Sequence, residues 1–300
     1  MINSSQQITT PESDEHQGIF WANTRLPQFL VNQGVADIPP YYGLKGGAAR
    51  AIAFKTLLGI DISVRDVDLF TTKSAASRNG FNEEAALLAE RYMPEDYSHG
   101  DGVDVGTDIY AALKNREFTM NEVAYMDGRV YYTPDALEAM EQMEIKLTKD
   151  EKGRMERQGY TTVDPKLLAK AQLFAVALES QGFNPTISED LASGETTPFW
   201  AAVMLSRARF YGPAAADELL KRLRITHEHG EEMHFDGYED AKFVLSKMLY
   251  GFTFPKHSDP FEAILNYTDE ELDQIFSYTD SGARAKRGAN WLVREGWRSR

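Results

Sequence analysis

Apolar positions recur with two different periods along this chain, and the change falls near residue 148. Upstream, short alternating runs are interleaved with helical stretches. "YYGLK" (41–45) reads as a short strand that runs into Gly46 and Gly47. "AARAIAFKTLL" follows as a helix, stopped by Gly59. "VRDVDLF" (64–70) reads as the next strand. Its alternation puts Asp66 and Asp68 on one face and Val67 and Leu69 on the other. Asn82 opens a helix through "EEAALLAERYM", with Glu83 and Glu84 at its positive end. "GVDVGTDIY" (102–110) alternates like a further strand. "EVAYMDGRVYYT" (122–133) reads as a hairpin turning at Asp127 and Gly128. Thr133 and Pro134 then open a helix to about Leu147, with Met140, Met143 and Leu147 as its core stripe.

Downstream the period is helical. Asp164 and Pro165 start "KLLAKAQLFAVALESQ", ended by Gly182. Leu167, Leu168, Ala171, Phe174, Ala175 and Leu178 share one face of it. Further helices are predicted from Thr197-Pro198, after Pro213, over "YEDAKFVLSKMLY", from Asp259-Pro260, and behind the capping box of Thr268 and Glu271. The predicted fold class is α+β: an N-terminal head built on a small mixed sheet with helices, then an all-α C-terminal part. The expected organisation is a disordered arm over 1–20, a head over 21–148, and a helical domain over 149–300 with a basic tail. No linker composition marks the join, and no fixed-period repeat occurs.

Composition narrows the functions open to such a chain. With 300 residues, 42% of them apolar, it can bury more than one small core. It has no cysteine, which excludes disulfides, thiolate zinc sites and cysteine nucleophiles. A reducing, cytoplasmic compartment is the natural reading. No apolar run reaches the length of a membrane span, and the polar, acidic start lacks the features of a secretory signal. The net charge of −14 argues against a surface that grips nucleic acid everywhere. The charge is uneven, however. Residues 281–300 hold six bases and one acid, leaving −19 on the rest. With Trp291 and Trp297, that tail could touch an RNA backbone and stack on bases; as a solvated helix it would merely offset the acidic body.

The candidate chemistry lies in the head. Two glycines at a strand-to-helix turn let a bulky anion approach the backbone, and the helix behind them offers free N–H groups and a positive dipole end. Lys45 and Arg50 flank Gly46 and Gly47 and could hold phosphate oxygens. Neither a P-loop nor a dinucleotide fingerprint is present. A phosphate cradle beside Asp66 and Asp68 points to magnesium bridging protein and triphosphate. Asp104 is the best candidate for a third acid; Asp101 and Asp108 are less well flanked. "HEHGEEMH" (227–234) lacks the HExxH spacing and reads as a solvated acidic loop.

"KGGAAR…VRDVDLF" resembles the opening motif of the polymerase-β-like nucleotidyltransferases. "LKNREFTMNEVAYMDGRVYYTPDALEAMEQ" resembles the second motif of class II tRNA nucleotidyltransferases (CCA-adding enzymes) and bacterial poly(A) polymerases, usually Arg-Arg-Asp-Phe-Thr-Ile-Asn-Ala before a strand pair and a short helix. "VDVGT" resembles the strand between them. The resemblance covers about residues 41 to 183. It implies a magnesium-dependent transfer of a nucleoside monophosphate from a nucleoside triphosphate to an acceptor hydroxyl, with an RNA 3′ end, and tRNA in particular, as the expected acceptor. Asp66, Asp68 and Asp104 would ligate metal and serve catalysis; Gly46, Gly47, Lys45 and Arg50 would hold the triphosphate; Arg116, Glu117 and Asn121 would contact the sugar and nearby phosphate.

The chain also departs from that pattern. Ala51 stands where an acid usually follows the first-motif Arg, and Asn115, Arg116 and Glu117 replace Arg-Arg-Asp. The nucleotide-selecting Glu-Asp-x-x-Arg falls at "VDPKL", keeping Asp164 but placing Leu167 at the Arg. Two other readings stay open: the same fold acting on a small molecule, a protein, or RNA as a toxin, and a non-enzymatic binding or assembly protein.

Overall fold

The computed structural model describes residues 12–14, 18–32, 41–65, 67–72, 103–105, 107–114, 116–160, 162–227, 231–249, 261, 264 and 272. The predicted helix from Asn82, those from Asp259 and Thr268, and the basic tail fall almost wholly outside them. The chain is mixed α+β and divides into two units, residues 1–154 and 155–300.

The first unit is organised by one seven-stranded sheet in the order β1-β2-β7-β6-β3-β4-β5. The strands are β1 (Glu12–Asp14), β2 (Ile19–Asn23), β3 (Tyr42–Lys45), β4 (Asp68–Thr71), β5 (Val103–Val105), β6 (Val123–Met126) and β7 (Arg129–Tyr132). Only β4 and β5 pair in parallel; the other neighbours are antiparallel. Among the described residues, the helices along this stretch include α1 (Gln28–Asn32), α2 (Gly46–Ala53) and α3 (Ile109–Lys114), of which α2 and α3 pack on the sheet. Phe70, Ala124 and Met126 form a buried cluster with Ala112 and Leu113 of α3 and with Ile19. Residues of the opposite parity (Leu44, Leu69, Val123, Val130) are buried as well, and α2 packs against β3, β6 and β7. Small side chains at Ala48, Ala49, Ala51 and Ala53 let that helix sit close to the sheet.

Local signals explain most boundaries. Asp127 and Gly128 both take positive φ, 50° and 75°, as a tight hairpin turn requires. The helix begun at Gly46 continues as a wide turn over Phe54–Leu58, and Gly59 (φ 73°) ends it. α4 (Pro134–Glu141) is capped by Thr133, whose hydroxyl accepts from the Ala136 N–H.

Of the stretch expected as an arm over 1–20, the described residues are β1, which pairs with β2, and residues 18–20 with the buried Ile19. Three expectations are corrected. The strand expected over 64–70 begins only at Asp68. The strand expected over 102–110 is β5 alone; Ile109 and Tyr110 already belong to α3, which Asp108 caps by accepting the Ala111 N–H at 2.7 Å. The helix expected to reach Leu147 stops at Glu141. Met143 turns at φ 52°, and the chain extends so that Leu147 bridges Phe118. Burial of Ile145 and Leu147 outweighs helix propensity there.

The second unit is mainly helical. α5 (Lys149–Arg157) crosses the division, followed by α6 (Pro165–Glu179), α7 (Pro198–Ala208), α8 (Pro213–Arg222) and α9 (Tyr238–Leu249). α7 is buried on nearly every residue, and its core extends to Phe261, Ile264 and Leu272. A short parallel ladder departs from the all-helical expectation: Thr196 pairs with Ile225.

Gly43 governs the fit of β3 beneath β4. A Cβ there would strike the Phe70 ring and come within 2.7 Å of the Tyr125 carbonyl oxygen. Neither the carbonyl nor the fully buried ring has room to move. Gly43→Ala should cost about 1–3 kcal/mol as overpacking, read as a lower urea midpoint with an unchanged slope.

Candidate functional site

The site is built at the end of the sheet where β3 leaves and β4 enters. Their antiparallel register sets Lys45 opposite Asp68. The chain turns straight from Lys45 into α2, with Gly46 at φ 60°. A Cβ on Gly46 would run into the Asp68 carboxylate, so glycine is required both by backbone conformation and by that close approach. The Asp68 carboxylate therefore lies against the first residue of α2, at the positive end of the helix. Gly47 follows in the first turn, half-buried.

Asp66 lies outside the described residues. Asp104 is described in its backbone only: it pairs with Phe70, the residue two beyond Asp68, on the neighbouring strand. Asp68 is thus the one proposed metal ligand whose side chain is placed. Among the described residues, no group of three acidic or histidine side chains gathers in a way that could hold a metal; residues 228–230 of the 227–234 stretch lie outside the described residues.

Of the second-motif residues, the structure brings the Thr119–Asn121 turn to α2, while Arg116 bonds back to α3. Arg116 and Glu117 leave α3 and enter a segment clamped from behind. Thr148 bonds the Arg116 carbonyl through its hydroxyl at 2.7 Å and the Glu117 carbonyl through its N–H at 3.0 Å. The Thr119 N–H returns to Lys146 O at 2.9 Å. Arg116 donates its Nε–H to Ala112 O at 2.7 Å, satisfying a terminal carbonyl of α3. The clamp leads into the turn Thr119–Asn121, which packs on α2. There Asn121 Oδ1 accepts a hydrogen bond from Arg50 Nη1. The two sequence blocks, 71 residues apart, meet through this pair.

Asp164 belongs to the second unit. Its Oδ1 accepts the Lys166 N–H at 2.8 Å, capping α6. Leu167 is 3% exposed, a core residue of that helix.

Glu122 was not singled out from sequence. It is 4% exposed, and Thr133 donates its hydroxyl to Glu122 Oε2 at 2.6 Å. Burial pushes its carboxyl above the ordinary value; Thr133 and Lys114 oppose the rise, and Asp135 and Asp150 add to it. The signal was present in the hairpin. Pairing outward from the Asp127-Gly128 turn sets Val123 opposite Tyr132, so Glu122 and Thr133 come next.

Asp68 offers hard carboxylate oxygen beside a helix N-terminus. An approaching triphosphate would be repelled by that carboxylate unless a cation stood between them. Asp68 would hold it, with Asp66 and Asp104 as its proposed companions.

No family model matches the chain, and no curated protein is similar to it in sequence. Solved structures do align with it. A CCA-adding enzyme in complex with ATP aligns at 15% identity and a TM-score of 0.38, covering 91% of this chain and 72% of that one. The Thermotoga maritima CCA-adding enzyme complexed with tRNA aligns at 15% identity and a TM-score of 0.34, covering 91% and 73%. A tRNA-processing enzyme in an apo form aligns at 16% identity and a TM-score of 0.33, covering 84% and 77%. Likenesses of this size carry no argument about what this chain does. No helix among the described residues is long and apolar enough to cross a membrane.

The buried carboxyl makes stability depend on pH. Its raised folded value means that the folded state holds the proton more tightly than the unfolded chain does. That contribution is complete below about pH 4.3, the ordinary glutamate value, and is lost as pH rises through the folded value. Glu122→Gln removes the titration. Its Tm relative to wild type should climb as pH rises above about 4.3, the ordinary glutamate value; a difference that stays constant as the pH is raised would exclude the effect.

Proposed function

We propose that the chain is a magnesium-dependent nucleotidyltransferase that moves a nucleoside monophosphate from a nucleoside triphosphate to the 3′ hydroxyl of an RNA, tRNA being the expected acceptor. One observation carries the reading: the Asp68 carboxylate lies against Gly46 at the start of α2, so an acidic group and an anion-binding helix end share one spot. The motif blocks of the sequence and the Arg50–Asn121 hydrogen bond support it.

The reaction is an in-line displacement. The acceptor oxygen forms a bond to the α-phosphorus, the bond to the pyrophosphate oxygen breaks, and the hydroxyl proton leaves to solvent. Magnesium, when bound, lowers the pKa of the attacking hydroxyl and neutralises charge on the leaving group. The N–H groups of the first turn of α2, at Gly46 and Gly47, would receive the phosphates. The Arg50 guanidinium, held by Asn121, adds positive charge next to that turn. Lys45, opposite Asp68, supplies a second cation.

The test is incubation with each α-labelled ribonucleoside triphosphate, magnesium and total RNA. Label should enter RNA. Asp68→Asn should abolish incorporation while leaving the Tm near that of wild type, because it removes charge and keeps shape. Near-normal turnover by that variant would sink the proposal. Label entering protein or a small molecule would keep the transfer chemistry and reassign the acceptor.

Base choice should be loose. Asp164 already accepts the Lys166 N–H, and the buried Leu167 offers no donor to a base edge. A missing hydrogen-bond partner costs about 1–3 kcal/mol, or roughly tenfold to a hundredfold in discrimination. Turnover of the four ribonucleotides on one acceptor measures this; strict addition of C and then A would contradict it.

A further inference from the structure

We infer that Glu122 is a positioning residue: its buried carboxyl locks the turn that presents Asn121 and, through Asn121, sets the direction of the Arg50 guanidinium. What Arg50 then holds rests on the triphosphate reading above; the locking does not.

Glu122 fastens the exit of the Thr119–Asn121 turn through its N–H, its carbonyl and one carboxyl oxygen. Its N–H donates to Thr119 O at 3.0 Å. Its carbonyl accepts the Thr133 N–H at 3.3 Å. Its Oε2 accepts the Thr133 hydroxyl at 2.6 Å. Thr133 is itself fixed, because the same hydroxyl oxygen accepts the Ala136 N–H at 3.1 Å and caps α4. A continuous path therefore runs from the start of α4, through Thr133 and Glu122, to Asn121 and Arg50. The turn is held on its other side by Thr148 and Lys146.

The surroundings make this a specific arrangement rather than a solvated acid. Glu122 feels Lys114 from the end of α3, Asp135 from the first turn of α4, and Lys149 and Asp150 from the start of α5. Lys149 pairs with Asp135 at 2.6 Å. Burying a carboxyl has a cost that an apolar side chain at the entry to β6 would avoid. What the carboxyl provides is direction, since a satisfied polar pair in a buried site admits one geometry where an apolar contact admits several.

The test compares Glu122→Met, of similar volume with no oxygen acceptor, with Glu122→Gln, which keeps the acceptor for Thr133. Two quantities are read on full-length protein: the dissociation constant for ATP with magnesium by calorimetry, and the ¹⁵N resonances of the Arg50 guanidinium and the Asn121 side-chain amide without ligand. Glu122→Gln should bind ATP nearly as the wild type does. Glu122→Met should bind roughly tenfold more weakly, the size of one lost hydrogen bond. That loss should vanish when Asn121 is already Ala, because the two act in series. The Met variant should also shift the Arg50 and Asn121 resonances, and the Gln variant should not. Unmoved resonances in a folded Met variant, or a loss that persists in the Asn121→Ala background, would overturn the inference. Should the Met variant not fold, Thr133→Ala against Thr133→Ser poses the same comparison from the donor side. If wild type binds no ATP, the triphosphate reading fails, and the resonances still decide the positioning role.

Discussion

The antiparallel register of β3 and β4 is the constraint on which the candidate site depends. It places Lys45 opposite Asp68 and delivers the chain into α2 with Gly46 against the Asp68 carboxylate. A slip of one residue would turn Leu44 and Leu69, both fully buried, toward the other face. The register is thus held by core burial, while its consequence is felt at the polar end of the strands. Gly43 is part of the same fit, since its missing side chain makes room for Phe70.

A second constraint joins distant parts of the chain. The turn bearing Asn121 gains little from its own three residues, and a single 3₁₀ turn is weak in isolation. It persists because it is tied at both ends: Thr148 and Lys146 hold the approach, and Glu122 with Thr133 holds the exit. The Arg50–Asn121 bond then transfers that rigidity to α2. The buried carboxyl is an expensive element in this scheme, and its raised proton affinity reports the cost.

Much of this was legible in the sequence, and the gaps have physical causes. The hairpin followed from Asp127-Gly128, and the start of α4 from Thr133-Pro134, because turn and cap chemistry is local. The strand ending in Lys45, the helix behind Gly46 and its stop at Gly59 were read the same way. The helix end at Glu141 was not, because the extension of residues 144–148 is determined by Phe118, Thr119 and Glu117, far away in sequence. The strand before Asp68 was overread because alternation around Val64 and Val67 also arises when a loop buries every third residue or so. Glu122 has no motif of its own in the sequence, although hairpin pairing sets it beside Thr133. Burial, which decides its chemistry, is a tertiary property.

In the second unit, residues that the sequence resemblance would assign to a site have structural roles. In the resembled family the stretch at "VDPKL" selects the base, yet here its polar side chains have structural tasks. Asp164 caps α6 before Pro165, Lys166 is 7% exposed with its ammonium 5.0 Å from the Trp200 ring, and Leu167 is core. The Pro165 carbonyl accepts the Thr196 hydroxyl, fastening the same turn to the short parallel ladder. Replacing Leu167 with Arg to restore the family pattern would therefore place a charge in the core instead of a donor at a base edge. Any base selection by this segment has to come from what capping leaves over, namely the second carboxylate oxygen of Asp164, which can accept from an amino group but cannot donate. An acceptor alone would disfavour only U, the one base without an exocyclic amine, and would not separate C, A and G from one another.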